Sequence, residues 1–556
     1  MAEVTKLADE LHRTVLDRFP MSAIVQGIPG YGDRLPDYGE ATESDFATTV
    51  ARIADRAERL DPAELTASEL VTRAVVVQQA RMHSQRAEGR WTEFTVSDFI
   101  LTPVPGLLLD LATLPLTMGE DLVGRLRSLP TFFETLTRRH RDGMAAGLLP
   151  VAHLVVAAVK HLDDQLADLG TLRRSAEGAL GDRCDEILGE VAAPAIRAYR
   201  DVLTSELLPR GRDADHAGVC WLPGGEIRYA AAVRGHTTTG LSPDELHRIG
   251  LSLVAELGEE YVALGPAVFG TSRLSEIFAR LRGDLTLRFR TGEEMLLAAR
   301  DAVVRATAAA PGWFAAMPSS ECEVAAYPPT SSSRVPSAYL VGSLDGARPG
   351  TYFVNTRSPA DVPRHKAQVT AFHEGVPGHH FEMTLSQERT NLPLLRRTAQ
   401  VTAFREGWAL YAERLADEMG LYSGPLDRLG MLAMDSNRAA RLVVDTGLHA
   451  KGWSRRRAVE YLLANTPMAP ALIESEVDRY LSEPGQALAY MVGRREIGRL
   501  RNQARHVLGN HFDLRAFHTA VLSEGQVPLS VLDEIVTTWI GSCTPPRTES
   551  AGSPAS

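Results

Sequence analysis

The sequence predicts a predominantly α-helical protein of the α+β class, in which a small antiparallel sheet accompanies a large helical body. Two patterns carry this prediction. Ala and Leu recur at three- and four-residue spacing through most of residues 1–310, and helical patterning resumes from Pro363 to Trp539. Between these stretches, from about residue 320, the chain changes to short runs with β-branched and aromatic residues that are separated by turn dipeptides.

Capping residues mark several helix starts in the first region. The clearest is Ser242–Glu245, where Ser, Pro and two acids precede an apolar periodic segment. This order fits an N-cap, a Pro at the first helical position and an acidic first turn. Asp61–Glu64 and Thr291–Glu294 have related compositions, and we expect them to start two further helices.

Three short segments are predicted to form the sheet. They are Glu321–Tyr327, Ser337–Val341 and Thr351–Asn355. The dipeptides Asp345-Gly346 and Pro349-Gly350 lie between the second and third segments and are typical of turns. We expect the three segments to pair as antiparallel strands.

The composition argues against several functional classes. The 556 residues carry 59 Lys and Arg against 70 Asp and Glu, a formal charge of −11, and no basic block indicates nucleic-acid binding. The N-terminus is charged and amphipathic, and apolar runs such as Leu154–Val159 are too short to cross a bilayer. The four cysteines are far apart, as reduced thiols often are. We therefore expect a cytoplasmic protein without nucleic-acid or membrane partners.

A histidine-rich segment carries the first chemical signal. Thr370–Glu382 reads TAFHEGVPGHHFE, which is similar to the zincin signature: two helical histidines hold zinc and an intervening Glu acts as a base. The usual second histidine follows the first by four residues, on the same helix face. Here that position, four residues after His373, is Pro377. A surface loop rich in His and Glu is the competing interpretation.

Two geometries can supply the second histidine. If Gly375–Gly378 forms a bulge, His379 can take the ligand position, and Pro and Gly are residues that interrupt a helix. If the helix continues, His380 returns to the face of His373 but lies ~10.5 Å along the axis, which strains a shared site. We favour His379.

A second helical segment supplies a third ligand. Val401–Gly420 has a strong amphipathic pattern with Glu406 in its first half. Because a Gly inside a helix costs ~1 kcal/mol, Gly407 suggests the close approach of another backbone. Glu413 lies on the same face and is either a hydrogen-bond acceptor for a liganding His or part of a surface salt bridge. The competing interpretation of Glu406 is a solvent-exposed glutamate.

Together these segments resemble a known family. HEGVPGHHFE followed by EGWALYAERL, with SLDGARPGTYFVN, RLVVDTGLH and VDRYLSEPGQALAYMVG, is similar to bacterial domain-of-unknown-function family 885. The similarity is good over residues 320–500. That family resembles gluzincin metallopeptidases, including the thimet oligopeptidase and carboxypeptidase Taq groups. The resemblance implies a zincin-like zinc hydrolase fold, but it does not imply a substrate.

We therefore expect one zinc ion per chain, held by His373, His379 and Glu406. We expect Glu374 to act as the general base for a water molecule that zinc activates. Tyr490 and His449 are the leading candidates for stabilising the oxyanion, with Arg441 and Arg494 behind them. A core tyrosine and an ordinary buried histidine are the competing interpretations of Tyr490 and His449.

We predict three regions and one principal function. Residues 1–310 form a helical region that contributes to the cleft, residues 311–540 the zincin-like catalytic region, and residues 541–556 a disordered tail. The predicted function is zinc-dependent hydrolysis of an amide bond, in short peptides, by a metallopeptidase-like enzyme. A dedicated hydrolase or acyl-transferring enzyme for one small amide is the alternative. A non-catalytic binding protein is a third hypothesis, against which the intact Glu374 argues. The sequence does not indicate an oligomeric state.

Overall fold

The computed structural model describes residues 2–100, 102–113, 119–173, 176–328 and 335–544. Helices dominate it, as expected. The helices of the first region are α1 (Glu3–Arg18), α2 (Pro20–Gln26), α3 (Glu40–Glu58), α4 (Ala67–Glu88), α5 (Pro103–Thr113), α6 (Gly119–Ala145), α7 (Ala152–Ala167), α8 (Gly178–Ile187), α9 (Ala193–Val202), α10 (Gly225–Thr237), α11 (Pro243–Phe269), α12 (Leu274–Gly283) and α13 (Gly292–Ala309).

After α13, a three-stranded sheet precedes the remaining helices. Its strands are β1 (Glu323–Ala326), β2 (Ala338–Leu340) and β3 (Thr351–Val354). The helices that follow are α14 (Ala367–Glu374), α15 (His379–Gln387), α16 (Leu394–Thr398), α17 (Thr402–Glu418), α18 (Pro425–Ala450), α19 (Arg455–Asn465), α20 (Pro470–Ser482), α21 (Ala489–Leu508), α22 (Leu514–Leu522) and α23 (Leu529–Cys543).

The positions of the strands are confirmed, but the expectation of a purely antiparallel sheet is wrong. The strand order is β1-β3-β2. β2 is antiparallel to β3, with Tyr339 opposite Tyr352, whereas β1 is parallel to β3, with Val324 also opposite Tyr352. The turn dipeptides indicate only that the chain reverses direction between β2 and β3. They carry no information about the edge of β3 that β1 occupies.

Two of the three expected helix starts are confirmed. Ser242 and Glu245 form a capping box at α11, and the side chain of Thr291 accepts a hydrogen bond from the Glu294 amide at α13. Asp61 caps only a short 3₁₀ turn at Pro62–Glu64. The long helix α4 begins at Ala67 instead, because a complete capping box formed by Thr66 and Glu69 lies five residues downstream of Asp61.

The main hydrophobic core joins the early and late parts of the chain, with members from Leu7 to Ile540. Its most extensive helix pair is α11 against α18. Gly250 of α11 allows this approach, since a Cβ there would lie 2.7 Å from a methyl group of Val443. The Tyr261 hydroxyl lies 2.8 Å from the Ser436 hydroxyl in the same contact. The boundary at residue 310 remains a prediction.

Two further expectations concern the end of the chain and membranes. The sequence predicts a disordered tail from residue 541, but α23 continues to Cys543, and residues 545–556 lie outside the described residues. Within the described ranges, no helix combines the length and apolarity that crossing a membrane requires.

Candidate metal centre

The histidine-rich segment forms two helices rather than one. α14 ends at Glu374, residues 375–378 leave the helical path, and α15 starts at His379. A Cβ at Gly378 would overlap the carbonyl oxygens of Phe372 and His373, so the chain doubles back tightly against the end of α14. The sequence predicts a local bulge here, and the structure shows a full interruption.

This interruption brings three side chains together. One ligand atom from each of His373, His379 and Glu406 lies within 4.8 Å of the other two, and all three residues are buried. Glu406 Oε2 is 3.8 Å from His373 Nε2 and 3.5 Å from His379 Nε2. Ligands ~2 Å from a tetrahedral ion are ~3.3 Å apart, so this N/N/O set fits zinc with little adjustment. The geometry favours His379 as the second ligand.

His380 turns away from the three side chains. Its Nδ1 lies 3.1 Å from the Tyr339 hydroxyl, and its Nε2 lies 3.1 Å from the Ser320 carbonyl oxygen. Both ring nitrogens therefore have other partners, and His380 ties α15 to the segment that precedes β1 and to β2.

Glu406 is positioned by close packing of α17 against α21. A Cβ at Gly407 would lie 2.5 Å from the Cα of Gly493, and one at Gly493 would overlap the Ala403 carbonyl oxygen. The structure therefore shows the backbone approach that Gly407 suggests. The neighbouring Trp408 indole donates a 2.9 Å hydrogen bond to the Pro377 carbonyl oxygen, which fixes α17 to the interruption between α14 and α15.

Glu413 orients the first histidine. Its Oε1 lies 2.7 Å from His373 Nδ1, and Glu413 has no solvent exposure. This contact leaves Nε2 of His373 directed towards Glu406. Of the two interpretations of Glu413, the structure favours the hydrogen-bond partner of a liganding histidine over the surface salt bridge.

The electrostatics of the three side chains are consistent with a metal-ligand set. Burial lowers the pKa of His373 well below its ordinary value, which keeps the ring neutral. Burial raises the pKa of Glu406, but Arg405 and His379 outweigh it, and the pKa lies well below its ordinary value. Burial lowers the pKa of His379, whereas Glu406 raises it above the ordinary value. Binding of a cation would therefore release the His379 proton.

Glu374 ends α14 beside these ligands. Burial raises its pKa above the ordinary value. The backbone N–H of Tyr339 in β2 donates a 2.8 Å hydrogen bond to Glu374 Oε2. The small sheet therefore holds this carboxylate in place, which is a role that the sequence pattern does not indicate.

Tyr490 lies among arginines of α18 and α20. The Arg479 guanidinium donates a 3.0 Å hydrogen bond to its hydroxyl, and Arg441 stacks over its ring at 4.6 Å. Arg438, 5.6 Å from the ring centroid, has an Nε without a hydrogen-bond partner among the described residues. Sequence analysis missed Arg438, although its position one helical turn before Arg441 could have indicated a shared face.

The other candidate donors have structural partners. His449 is completely buried; its Nδ1 accepts from the Val219 amide at 3.2 Å and its Nε2 lies 3.0 Å from the Tyr480 carbonyl oxygen. Both ring nitrogens are occupied, so the contacts favour the ordinary buried histidine. Arg441 pairs with Glu476 at 2.7 Å, and Arg494 pairs with Asp435.

The fold and these side chains define a class: a large helical protein with a buried His-His-Glu set. The model of one family, described as a bacterial protein of unknown function (DUF885), matches residues 20–536. The chain belongs to this family, as its sequence motifs indicate. No curated protein matches the sequence.

Two solved structures are similar over nearly the whole chain. A "putative lipoprotein" from Colwellia psychrerythraea has a TM-score of 0.87 at 25% identity, covering 97% of this chain and 99% of the other. A "putative lipoprotein of unknown function" from Shewanella oneidensis has a TM-score of 0.74 at 17% identity, covering 97% and 100%. The second similarity concerns the fold alone.

Proposed function

We propose that this protein is a zinc-dependent hydrolase of amide bonds, related in its chemistry to gluzincin peptidases. The convergence of His373, His379 and Glu406 on one point, with Glu374 beside them, carries the proposal. The histidines come from two helices that a four-residue interruption folds together, and the glutamate comes from a third helix. Three buried ligands for one cation are characteristic of catalytic zinc sites, which keep a further position for water or substrate.

The protein side chains have separate tasks in this proposal. When bound, zinc would supply a Lewis acid that polarises a carbonyl group and acidifies water. The Glu374 carboxylate, held by the Tyr339 amide, takes the proton of the attacking water and returns it to the departing amine. The proposed donors for stabilising negative charge on the carbonyl oxygen are the Tyr490 hydroxyl and the Arg438 guanidinium, which stacks on the Tyr490 ring. Glu413 keeps His373 in the required tautomer.

Short peptides are the proposed substrates, and a cytoplasmic location is part of the proposal.

The test measures metal content and activity on the same preparations. Wild-type protein and Glu374→Gln are loaded with zinc, assayed for metal by mass spectrometry, and incubated with a library of short peptides with and without chelator. Glu259→Gln, an exposed glutamate on α11, is the matched control.

We expect the wild-type protein and Glu259→Gln to bind one zinc per chain and to cleave peptides in a chelator-sensitive manner. Glu374→Gln should keep its zinc and lose at least ~100-fold in rate, because a general base contributes that much or more. Full activity of Glu374→Gln would show that the base is wrongly assigned. Absence of stoichiometric metal would overturn the proposal. Bound zinc without cleavage of any library peptide would point to one dedicated small amide.

A further inference from the structure

A cavity near the N-terminus has no role in the mechanism proposed above. It has a volume of about 450 Å³ and lies between α1, α4, α10, the start of α17 and the segment that follows α20. We call it the N-terminal cavity; its polar lining includes Arg18, Arg86, Gln400, Thr402 and Glu483. Sites for small organic ligands have volumes of ~300–1,000 Å³, so this cavity is large enough for one.

Arg18 is a buried cation on the wall of the N-terminal cavity. It is 6% exposed, and its Nε and Nη1 have no hydrogen-bond partner among the described residues. Its guanidinium stacks over Phe19 at 5.0 Å and over Tyr38 at 4.9 Å, so the group is held rigidly by two rings. Burial lowers the pKa of Arg18, and Glu43 and Asp37 offset this effect only in part. The guanidinium lines the cavity, so an anion bound there would stabilise its charge.

The carboxylates in the lining already have arginine partners. Glu43 lies 2.5 Å from Arg139, and Glu483 lies 2.7 Å from Arg86. Among the described residues no carboxylate forms a salt bridge with Arg18, although Glu43 and Asp37 act on it at longer range, so a single further negative charge can pair with it. A dianion such as a phosphate ester would face the Glu43 and Glu483 carboxylates, so the charges favour a monoanionic carboxylate.

Apolar side chains cover another part of the lining. Phe19 and Phe46 pack edge to face with their ring centroids 5.8 Å apart, and Trp91 and Leu395 add apolar surface. A carboxylate ligand that fills this cavity would therefore carry an apolar or aromatic group beside its charge.

The N-terminal cavity borders the candidate metal centre. Arg405 donates a 3.1 Å hydrogen bond to Gln400 Oε1 on the cavity side and another of 3.1 Å to Glu406 Oε1 on the metal side. Thr402 lines the cavity and precedes Glu406 by four residues on α17, which is ~6 Å along the helix axis. The cavity wall at Thr402 therefore lies one helical turn from Glu406 on the same helix.

We propose that the N-terminal cavity binds the free carboxylate and apolar side chain of the substrate, with Arg18 as the ion-pair partner of the carboxylate. The substrate class is then a small N-acyl amino acid or short peptide with a free carboxylate, whose amide reaches the metal centre. The inference rests on the proposed hydrolysis for the fate of this ligand. Binding to Arg18 can be measured without turnover.

The test compares acids with their amides. The probes are benzoylglycyl-phenylalanine, benzoylglycyl-leucine and benzoylglycyl-alanine, each as free acid and as C-terminal amide. Calorimetry in the Glu374→Gln background measures their dissociation constants before and after Arg18→Gln. The matched control is Arg59→Gln, the same change at an exposed arginine outside the cavity lining. Hydrolysis of the six probes by the wild-type active site is measured in parallel.

We expect at least one acid to bind ~10-fold or more tightly than its amide, as a charge-assisted hydrogen-bond pair allows. Arg18→Gln should reduce this preference to less than about 3-fold and leave the affinity for the amide unchanged. Arg59→Gln should keep the preference. Equal binding of acids and amides, no binding of any probe, or a preference that survives Arg18→Gln would overturn the inference.

A second variant tests the cavity assignment independently, because a loss of binding in Arg18→Gln can also come from misfolding. Ala231 lines the cavity, and Ala231→Trp fills space without changing a charge. It should weaken the binding of acids and amides alike, and unchanged binding would contradict the cavity assignment. Selective, Arg18-dependent binding without hydrolysis would leave the cavity assignment intact and count against the proposed function. Hydrolysis without a preference for acids would support the proposed function and count against the cavity assignment.

Discussion

At the scale of single residues, the hydrogen-bond partners of the candidate ligands determine the geometry of the site as much as the ligands themselves. Glu413 is fully buried, and its Oε1 lies 2.7 Å from His373 Nδ1. Arg405 contacts the Glu406 oxygen that does not face the histidines. Each of these contacts leaves one donor atom of the ligand free to face the common point. The ligand geometry therefore depends on groups that do not touch the metal position.

Removing the Glu413 carboxylate should weaken metal binding. We expect Glu413→Gln to raise the zinc dissociation constant ~10- to 100-fold, because a neutral partner holds the His373 tautomer less firmly. Competition with a fluorescent chelator measures this change. Glu259→Gln, the exposed glutamate on α11, is again the control. Equal zinc affinities of Glu413→Gln and wild-type protein would assign Glu413 a purely structural role.

The candidate ligands are within reach of sequence reasoning, and so is Glu413 as the partner of a histidine, but Arg405 and Arg438 are not. His373 and Glu406 follow from residue type and spacing, since a metal site needs N and O donors at helical positions. Arg405 and Arg438 look like ordinary charged residues of amphipathic helices. Their burial beside Glu406 and Tyr490 depends on the packing of α17, α18 and α21, which no local pattern encodes. The partners of His449 likewise depend on packing, and its role as an oxyanion donor stays a prediction.

At the scale of elements, the contact between α17 and α21 holds Glu406 in place. Gly407 and Gly493 face each other with no room for a side chain. The helix that carries the third ligand is therefore fixed by backbone contact with its neighbour. A small displacement of α17 against α21 would shift Glu406 relative to the two histidines.

Adding one methyl group should test this contact. We expect Gly493→Ala to lower the free energy of unfolding by roughly 1–3 kcal/mol and to reduce zinc affinity, because the new Cβ would overlap the Ala403 carbonyl oxygen. Chemical denaturation and zinc titration measure the two effects. Gly498→Ala is the control: it lies on the same helix with open space around it, and should stabilise by up to about 1 kcal/mol. Similar behaviour of the two variants would contradict the packing argument.

Sequence reasoning predicts elements better than their junctions. Pro377 and its flanking glycines indicate that the helix is interrupted before His379, and the structure extends this bulge to a full break between α14 and α15. The strands were located correctly, yet the parallel pairing of β1 with β3 was missed. Pairing between segments distant in the chain is decided by the surface that receives them. Composition alone does not describe that surface.

At the scale of the whole molecule, the candidate metal centre draws its residues from three helices of the late region. A cation bound only by the folded protein stabilises it by RT ln(1 + [L]/Kd), about 4 kcal/mol at a thousandfold excess over Kd. We expect chelation to lower the thermal midpoint of wild-type protein and zinc to restore it, as measured by scanning calorimetry. His379→Gln should show little response to either treatment. An equal response of this variant would place the stabilising metal elsewhere.

A second prediction at this scale concerns the loss of folding stability at acidic pH. His140 is buried between the Glu93 carbonyl oxygen and the Tyr199 hydroxyl, and burial lowers its pKa to about 4. The unfolded chain, with a histidine pKa near ~6.5, then binds more protons between these two values. His140 therefore contributes stability above pH ~6.5 that is lost as the pH falls towards 4.

We expect the difference in unfolding free energy between wild-type protein and His140→Gln to shrink by a few kcal/mol from pH ~7 to ~4.5, as a shift of this size implies. Urea denaturation at a series of pH values measures it. Val507→Ala, a substitution at an exposed side chain that does not titrate, should leave the pH profile of wild-type protein unchanged over this range. A constant difference between wild-type protein and His140→Gln would show that His140 titrates normally in the folded state.

The contact between α11 and α18 has a consequence for protein synthesis. More than 150 residues separate the end of α11 from the start of α18. At ~5–20 residues per second, a ribosome takes roughly 8–30 s to make the intervening chain. During that time the face of α11 that carries Leu246, Leu257 and Tyr261 lacks its partner. Nascent chains of this protein should therefore depend on holding chaperones until translation has passed residue 450.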